Sequence, residues 1–92
     1  MTVRSFKHGG LKRLYERDED ARIKPPFRRR VRTILALLDQ AATLADLAAP
    51  RYRLHPLKGR PNYWSMRVSG NWRIVFRIEN SEIWEVDLED YH

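Results

Sequence analysis

The chain has 92 residues, 42% of them hydrophobic, and its 18 Lys and Arg against 12 Asp and Glu give a net charge of +6. That is the size and apolar share of one compact domain spanning residues 1–92. The absence of cysteine removes disulfides, Cys-ligated zinc and thiol nucleophiles together. No apolar run approaches the ~20 residues needed to span a bilayer, and MTVRSFKHGG lacks a signal-peptide core, so the expected setting is cytoplasmic with no membrane partner.

VRSF reads as a short strand and HGG as a turn. In LKRLYERDED, Leu11, Leu14 and Tyr15 fall at helical spacing and predict a short amphipathic helix. IKPPF breaks the chain, and its second proline suits the first position of a helix, where a missing N–H costs nothing. In FRRRVRTILALLDQAA, Phe27, Val31, Ile34, Leu35 and Leu38 form one apolar stripe, with Arg28, Arg29, Arg30, Arg32 and Asp39 elsewhere on the wheel. This is the predicted core helix. Thr43 with Asp46 resembles a capping box, so TLADLAAP predicts one or two more helical turns closed by Pro50.

Beyond Pro50 the apolar period changes from 3.6 to 2. YWSMRVS alternates Trp64, Met66 and Val68 against Tyr63, Ser65 and Arg67, and NWRIVFRIE alternates Trp72, Ile74, Phe76 and Ile78 against Arg73, Val75, Arg77 and Glu79. SGN joins them as a hairpin, and a turn near Asn80 and Ser81 leads into SEIWEVDLEDYH, with Trp84, Val86 and Leu88 on the predicted apolar face. YRLHPL is a fourth candidate strand. The fold class that follows is α+β, with the N-terminal helices packed on one face of an antiparallel sheet. The other face is expected to be open and to carry Tyr63, Arg67, Arg73 and Arg77.

Charge is segregated: Arg51 to Arg77 holds seven basic residues and no acidic one, and Glu79 to Asp90 six acidic residues and no basic one. The plainer meaning is cross-strand pairing on a solvated surface. The sharper one is a polyanion site, since arginine forks grip phosphate oxygens and aromatic rings stack on bases. His55 sits in LHPLKG with Lys58 three residues on, where a strand runs into a loop. DLEDYH places a carboxylate, a phenol and an imidazole at Asp90, Tyr91 and His92; strict alternation would put Tyr91 on the arginine face and Asp90 and His92 on the parity of Val86 and Leu88.

The three histidines, at positions 8, 55 and 92, match no zinc-ligand pattern, and there is neither a Gly-rich phosphate loop nor a Ser-His-Asp arrangement. An enzyme built from this inventory would work with His, Asp, Tyr, Arg and Lys, which suits RNA cleavage without a cofactor. A small basic nucleic-acid-binding module without chemistry fits the same composition.

SFKHGGLKRLYE, RLHPLKG, YWSMRVSGNWRIVFR and VDLEDYH resemble, in order and spacing over nearly the whole chain, the HigB toxins of bacterial type II toxin–antitoxin systems, within the RelE/ParE superfamily. The resemblance implies helices on an antiparallel sheet and ribosome-dependent cleavage of mRNA. It also implies neutralisation by a HigA-type helix-turn-helix antitoxin, through which alone operator DNA would be met. Carried over by position, it implies that His55, Arg73, Asp90, Tyr91 and His92 contribute to cleavage. Lys58, Tyr63, Arg67 and Arg77 would then lie along the RNA. ParE-like members of the same fold act on DNA gyrase, so the architecture alone leaves that action open. Asn62 stands where such toxins often have Gly, a replacement that a left-handed turn tolerates.

Overall fold

The computed structural model describes residues 1–91. Helix α1 spans Gly9–Arg17 and α2 spans Arg28–Gln40; strands β1 (Thr2–Val3), β2 (His55–Pro56), β3 (Tyr63–Ser69), β4 (Trp72–Glu79) and β5 (Glu82–Asp90) form one sheet in the order β1-β5-β4-β3-β2. All neighbours are antiparallel except the edge pair β1 and β5, which run parallel. The predicted α+β class is therefore the observed one.

The apolar stripe of α2 buries Val31, Ile34, Leu35 and Leu38 against Met66, Ile74, Phe76, Ile83 and Val86 of the sheet. Each such side chain contributes on the order of 1.5–3 kcal/mol by leaving water, so this interface dominates stability. The arginines of α2 crowd its first turns, against the helix dipole. No side chain caps the helix; a 3-10 turn at Pro25–Phe27 leads into it, and Arg28 Nε donates to the Ile23 carbonyl at 2.8 Å. Arg32 holds the α1–α2 connection by pairing with Asp18 and, at 3.0 Å, with Asp20.

The HGG segment is more than a turn, because His8 is the N-cap of α1 and its Nδ1 accepts from the Leu11 N–H at 3.1 Å. In the capping-box position Asp46 accepts from the backbone N–H groups of Ala42 and Thr43 and opens a 3-10 turn at Leu44–Leu47. Those two bonds hold its carboxyl below the usual carboxylate range.

The helices are also joined by the Tyr15 hydroxyl, which donates to Asp39 Oδ1 at 2.5 Å. This bond to a carboxylate, with burial and the Asp39 charge behind it, pushes the phenol up to about 12. Since the protonated phenol is the form the fold favours, its contribution is complete below the ordinary tyrosine pKa of ~10 and is lost as pH rises through about 12. A spectrophotometric titration should show one late-ionising tyrosine that returns toward ~10 in Asp39→Asn; an unchanged curve would contradict the assignment.

Three sequence expectations change in the sheet. The VRSF strand is Thr2–Val3, with Phe6 adding only an isolated bridge to Val86. The fourth strand is only His55–Pro56, because Pro50–Tyr52 forms a 3-10 turn that buries Tyr52 in the core. Trp84 does not face the core: it pairs with Arg77 on the opposite face, while Ile83 is fully buried. The cause is a bulge, since the register shifts between Val75 and Arg77 and Glu85 adopts a left-handed φ of 55°. One extra residue in β5 puts Ile83 and Val86 on the same side of the sheet. Asn80 and Ser81, with φ of 52° and 61°, supply the turn between β4 and β5, and Asn62 takes its left-handed turn with φ of 66°.

Candidate active site

Register across β2 to β5 sets three rows on the face away from the helices. His55 pairs with Ser65, Ser65 with Val75 and Val75 with Asp87; the next row is Arg67, Arg73 and Glu89; and on the other side lie Tyr63, Arg77 and Trp84. The shared face expected for Tyr63, Arg67, Arg73 and Arg77 is thus present. It is not open, however, because Ser65 and Val75 at its centre are both 0% exposed. Long side chains roof them. Arg60, in the β2–β3 loop, lies 4.5 Å over the Tyr63 ring and reaches across to Glu89 of β5, with nitrogen–oxygen distances of 3.2 to 3.4 Å.

Most cations on this face are engaged. Arg77 pairs with Glu79 and, at 3.6 Å, with Glu85, and it lies over the Trp84 ring; Arg67 Nε donates to the Gly70 carbonyl at 3.3 Å. The Tyr63 hydroxyl donates to Glu85. That bond first, then the Lys7 and Arg77 charges, holds the Glu85 carboxyl below the usual range. Lys58 is exposed in the β2–β3 loop.

Arg73 differs. Its Nε and Nη1 are buried and find no hydrogen-bond acceptor among the described residues. Its guanidinium carbon sits 5.4 Å from the ring centroid of Tyr91, a cation–π contact, and that ring is 47% exposed. Buried donors normally find partners, and besides these two only Trp84 Nε1 lacks one among the described side chains, so Arg73 is the cation of this face with donors left to offer an acceptor.

His55 is oriented at both ring nitrogens. Nδ1 lies 2.8 Å from the Arg53 carbonyl, which can only accept, so Nδ1 carries a proton and Nε2 is the nitrogen left for chemistry. Nε2 lies 3.3 Å from Ser65 Oγ. The ring and Arg73 are two strands and two residues apart, or about 12 Å between Cα atoms from standard sheet spacings.

Asp90 stands opposite Trp72 on the parity of Val86 and Leu88, and Tyr91 on that of Arg73, as alternation required. His92 lies outside the described residues. Among the described residues no group of three or more His, Cys, Asp and Glu side chains could hold a metal ion, and no helix is long and apolar enough to cross a membrane. Sequence reasoning missed Ser65, Arg60 and Glu89. Only pairing register brings the first to His55, and the Arg60–Glu89 pair joins residues 29 apart, with no local signal.

The family profile for RelE-like toxins of the type II toxin–antitoxin system HigB matches residues 4–92. The chain belongs to this HigB-like toxin family. A relative from Proteus vulgaris, named Endoribonuclease HigB, is 40% identical over 91 residues, which are 98% of this chain and 99% of that protein. Membership makes this chain the toxin half of a type II pair and implies a cognate antitoxin. It also puts the orphaned Arg73 donors and the oriented His55 on the sheet of a HigB-like toxin.

Proposed function

We propose that this toxin is an endoribonuclease that cleaves mRNA during translation, and that its site lies on the sheet face bearing His55, Arg73 and Tyr91. The observation that carries this reading is the pair of unmet Arg73 donors on a face that also presents an oriented imidazole. The name and full-length similarity of the Proteus vulgaris relative support the reaction class.

In the proposed reaction a base removes the 2′-hydroxyl proton and O2′ attacks the adjacent phosphorus. Charge builds on the equatorial oxygens of the phosphorane, where Arg73 Nε and Nη1 donate. The bond from phosphorus to O5′ then breaks, and an acid protonates O5′. His55 Nε2 faces the phosphate as acid or as a donor, with Ser65 behind it. Asp90 and His92 handle or support proton transfer from the end of β5, and Tyr91 stacks on a base or meets the 2′-hydroxyl. Lys58, Arg67 and Arg77 line the approach of the RNA backbone, with Tyr63 beside them. The antitoxin of this reading is a HigA-type helix-turn-helix protein that alone contacts operator DNA.

The termini of the products test the chemistry. Internal attack leaves a 5′-hydroxyl on one fragment and a 2′,3′-cyclic phosphate or its 3′-phosphate on the other; a 5′-phosphate would mean attack by water and would contradict this mechanism. Intact mRNA together with inhibition of gyrase supercoiling would instead place the toxin with the ParE-like branch.

A further inference from the structure

We infer that Arg60 is a positioning residue that keeps the Arg73 guanidinium available to phosphate by holding the Glu89 carboxylate away from it. This rests on the reading of Arg73 as the phosphate ligand. Glu89 is the direct cross-strand partner of Arg73, a register that brings Cβ atoms to about 5 Å and lets an opposite-charge pair form with little cost. Yet the hydrogen bonds of Glu89 go to Arg60, through both of its terminal nitrogens, while Arg73 Nε and Nη1 have no acceptor among the described residues. The carboxylate is held by a cation 29 residues away in sequence, while two donors of its cross-strand cation find no acceptor among the described residues.

The capture is built into the fold. Leu57 N–H donates to the Tyr63 carbonyl and Tyr63 N–H to the Arg60 carbonyl, at 2.9 and 3.1 Å, which fixes the loop carrying Arg60 at the sheet edge. Its guanidinium then lies over the Tyr63 ring, whose hydroxyl is itself tied to Glu85. A side chain so supported spans the face with less rotamer entropy left to lose, so the pair with Glu89 is pre-organised. Without Arg60, Glu89 turns to Arg73, and an incoming phosphate must displace it.

The account makes an unusual demand on double substitution. Arg60→Met keeps a long unbranched side chain in the loop, removes the guanidinium, and should lower single-turnover cleavage on programmed ribosomes by about 10- to 100-fold, the worth of one charge-assisted contact. Glu89→Gln alone should stay within about threefold of wild type, as expected of a change that removes no substrate contact. Arg60→Met combined with Glu89→Gln should recover to that level, and Arg60→Lys should keep most of the activity. A double variant as impaired as Arg60→Met would overturn the inference, because Arg60 would then be touching RNA itself or only bracing the loop. A crystal structure of Arg60→Met decides the matter even if wild-type protein leaves mRNA intact and the nuclease reading falls. The carboxylate of Glu89 on the Arg73 guanidinium supports the inference, and a carboxylate still turned away from it overturns it.

Discussion

Arg73→Gln is expected to lower mRNA cleavage by about 10²–10³-fold, the usual loss when one donor aimed at developing transition-state charge is removed. The same change should leave the thermal midpoint equal or higher. A guanidinium whose Nε and Nη1 are buried with no acceptor among the described residues is a cost to the folded protein, because those donors gave up water without gaining a hydrogen bond there, and the contact with the Tyr91 ring offsets only part of it. Gln carries no charge and fewer donors, so the fold sheds that cost while the phosphate loses its partner. Loss of activity with a gain in stability is the signature of a group kept for function. Circular-dichroism melts beside single-turnover cleavage would show both effects. A variant that melts early and loses activity in proportion would make Arg73 a structural residue.

His55→Gln should cost the chemical step about 10²–10⁴-fold, the range for a positioned acid or base, with little change in binding. The Arg53 carbonyl holds Nδ1 at 2.8 Å, so Nε2 is the only ring nitrogen able to exchange a proton with substrate, and Ser65 Oγ at 3.3 Å steadies it. Gln keeps a donor near the phosphate and removes the proton carrier. A fall in kcat with KM held would assign His55 to proton transfer; a rise in KM with kcat unchanged would reduce it to a phosphate contact.

How much of this could be read before folding depended on whether the signal was local. The α2 stripe from Phe27 to Leu38, the two hairpins and the switch to a two-residue period after Pro50 all lie within a dozen residues of their cause, and each corresponds to an observed element. Trp84 failed because alternation assumes an unbroken strand, and Glu85, which sits left-handed in the bulge, is no turn-forming residue. Gly and Asn would have announced it. The YRLHPL strand was shortened to His55–Pro56 because Tyr52 is buried by a turn after Pro50, where core packing outweighed extended propensity.

At the site, parity placed Tyr91 on the arginine face and gathered four side chains there. What parity could not give was the roof over Ser65 and Val75, since Arg60 and Glu89 meet only after β2, β3, β4 and β5 have paired. The contrast of basic and acidic segments contained that meeting without indicating which cation would remain unmet. Two of the six arginines in the basic stretch, Arg60 and Arg77, proved to be structural partners of the acidic strand, as the plainer reading of the charge pattern has it. Arg73 is the residue on which the two readings part.

Mapping of mRNA 5′ ends in a purified translation reaction tests the central claim most directly, with wild-type protein, a version ending at Asp90, and the same mRNA without ribosomes. The account predicts codon-phased cuts that require ribosomes and vanish when Tyr91 and His92 are removed from a domain that stays folded. Intact mRNA in the presence of folded wild-type protein, or cutting indifferent to both the ribosome and the last two residues, would contradict it.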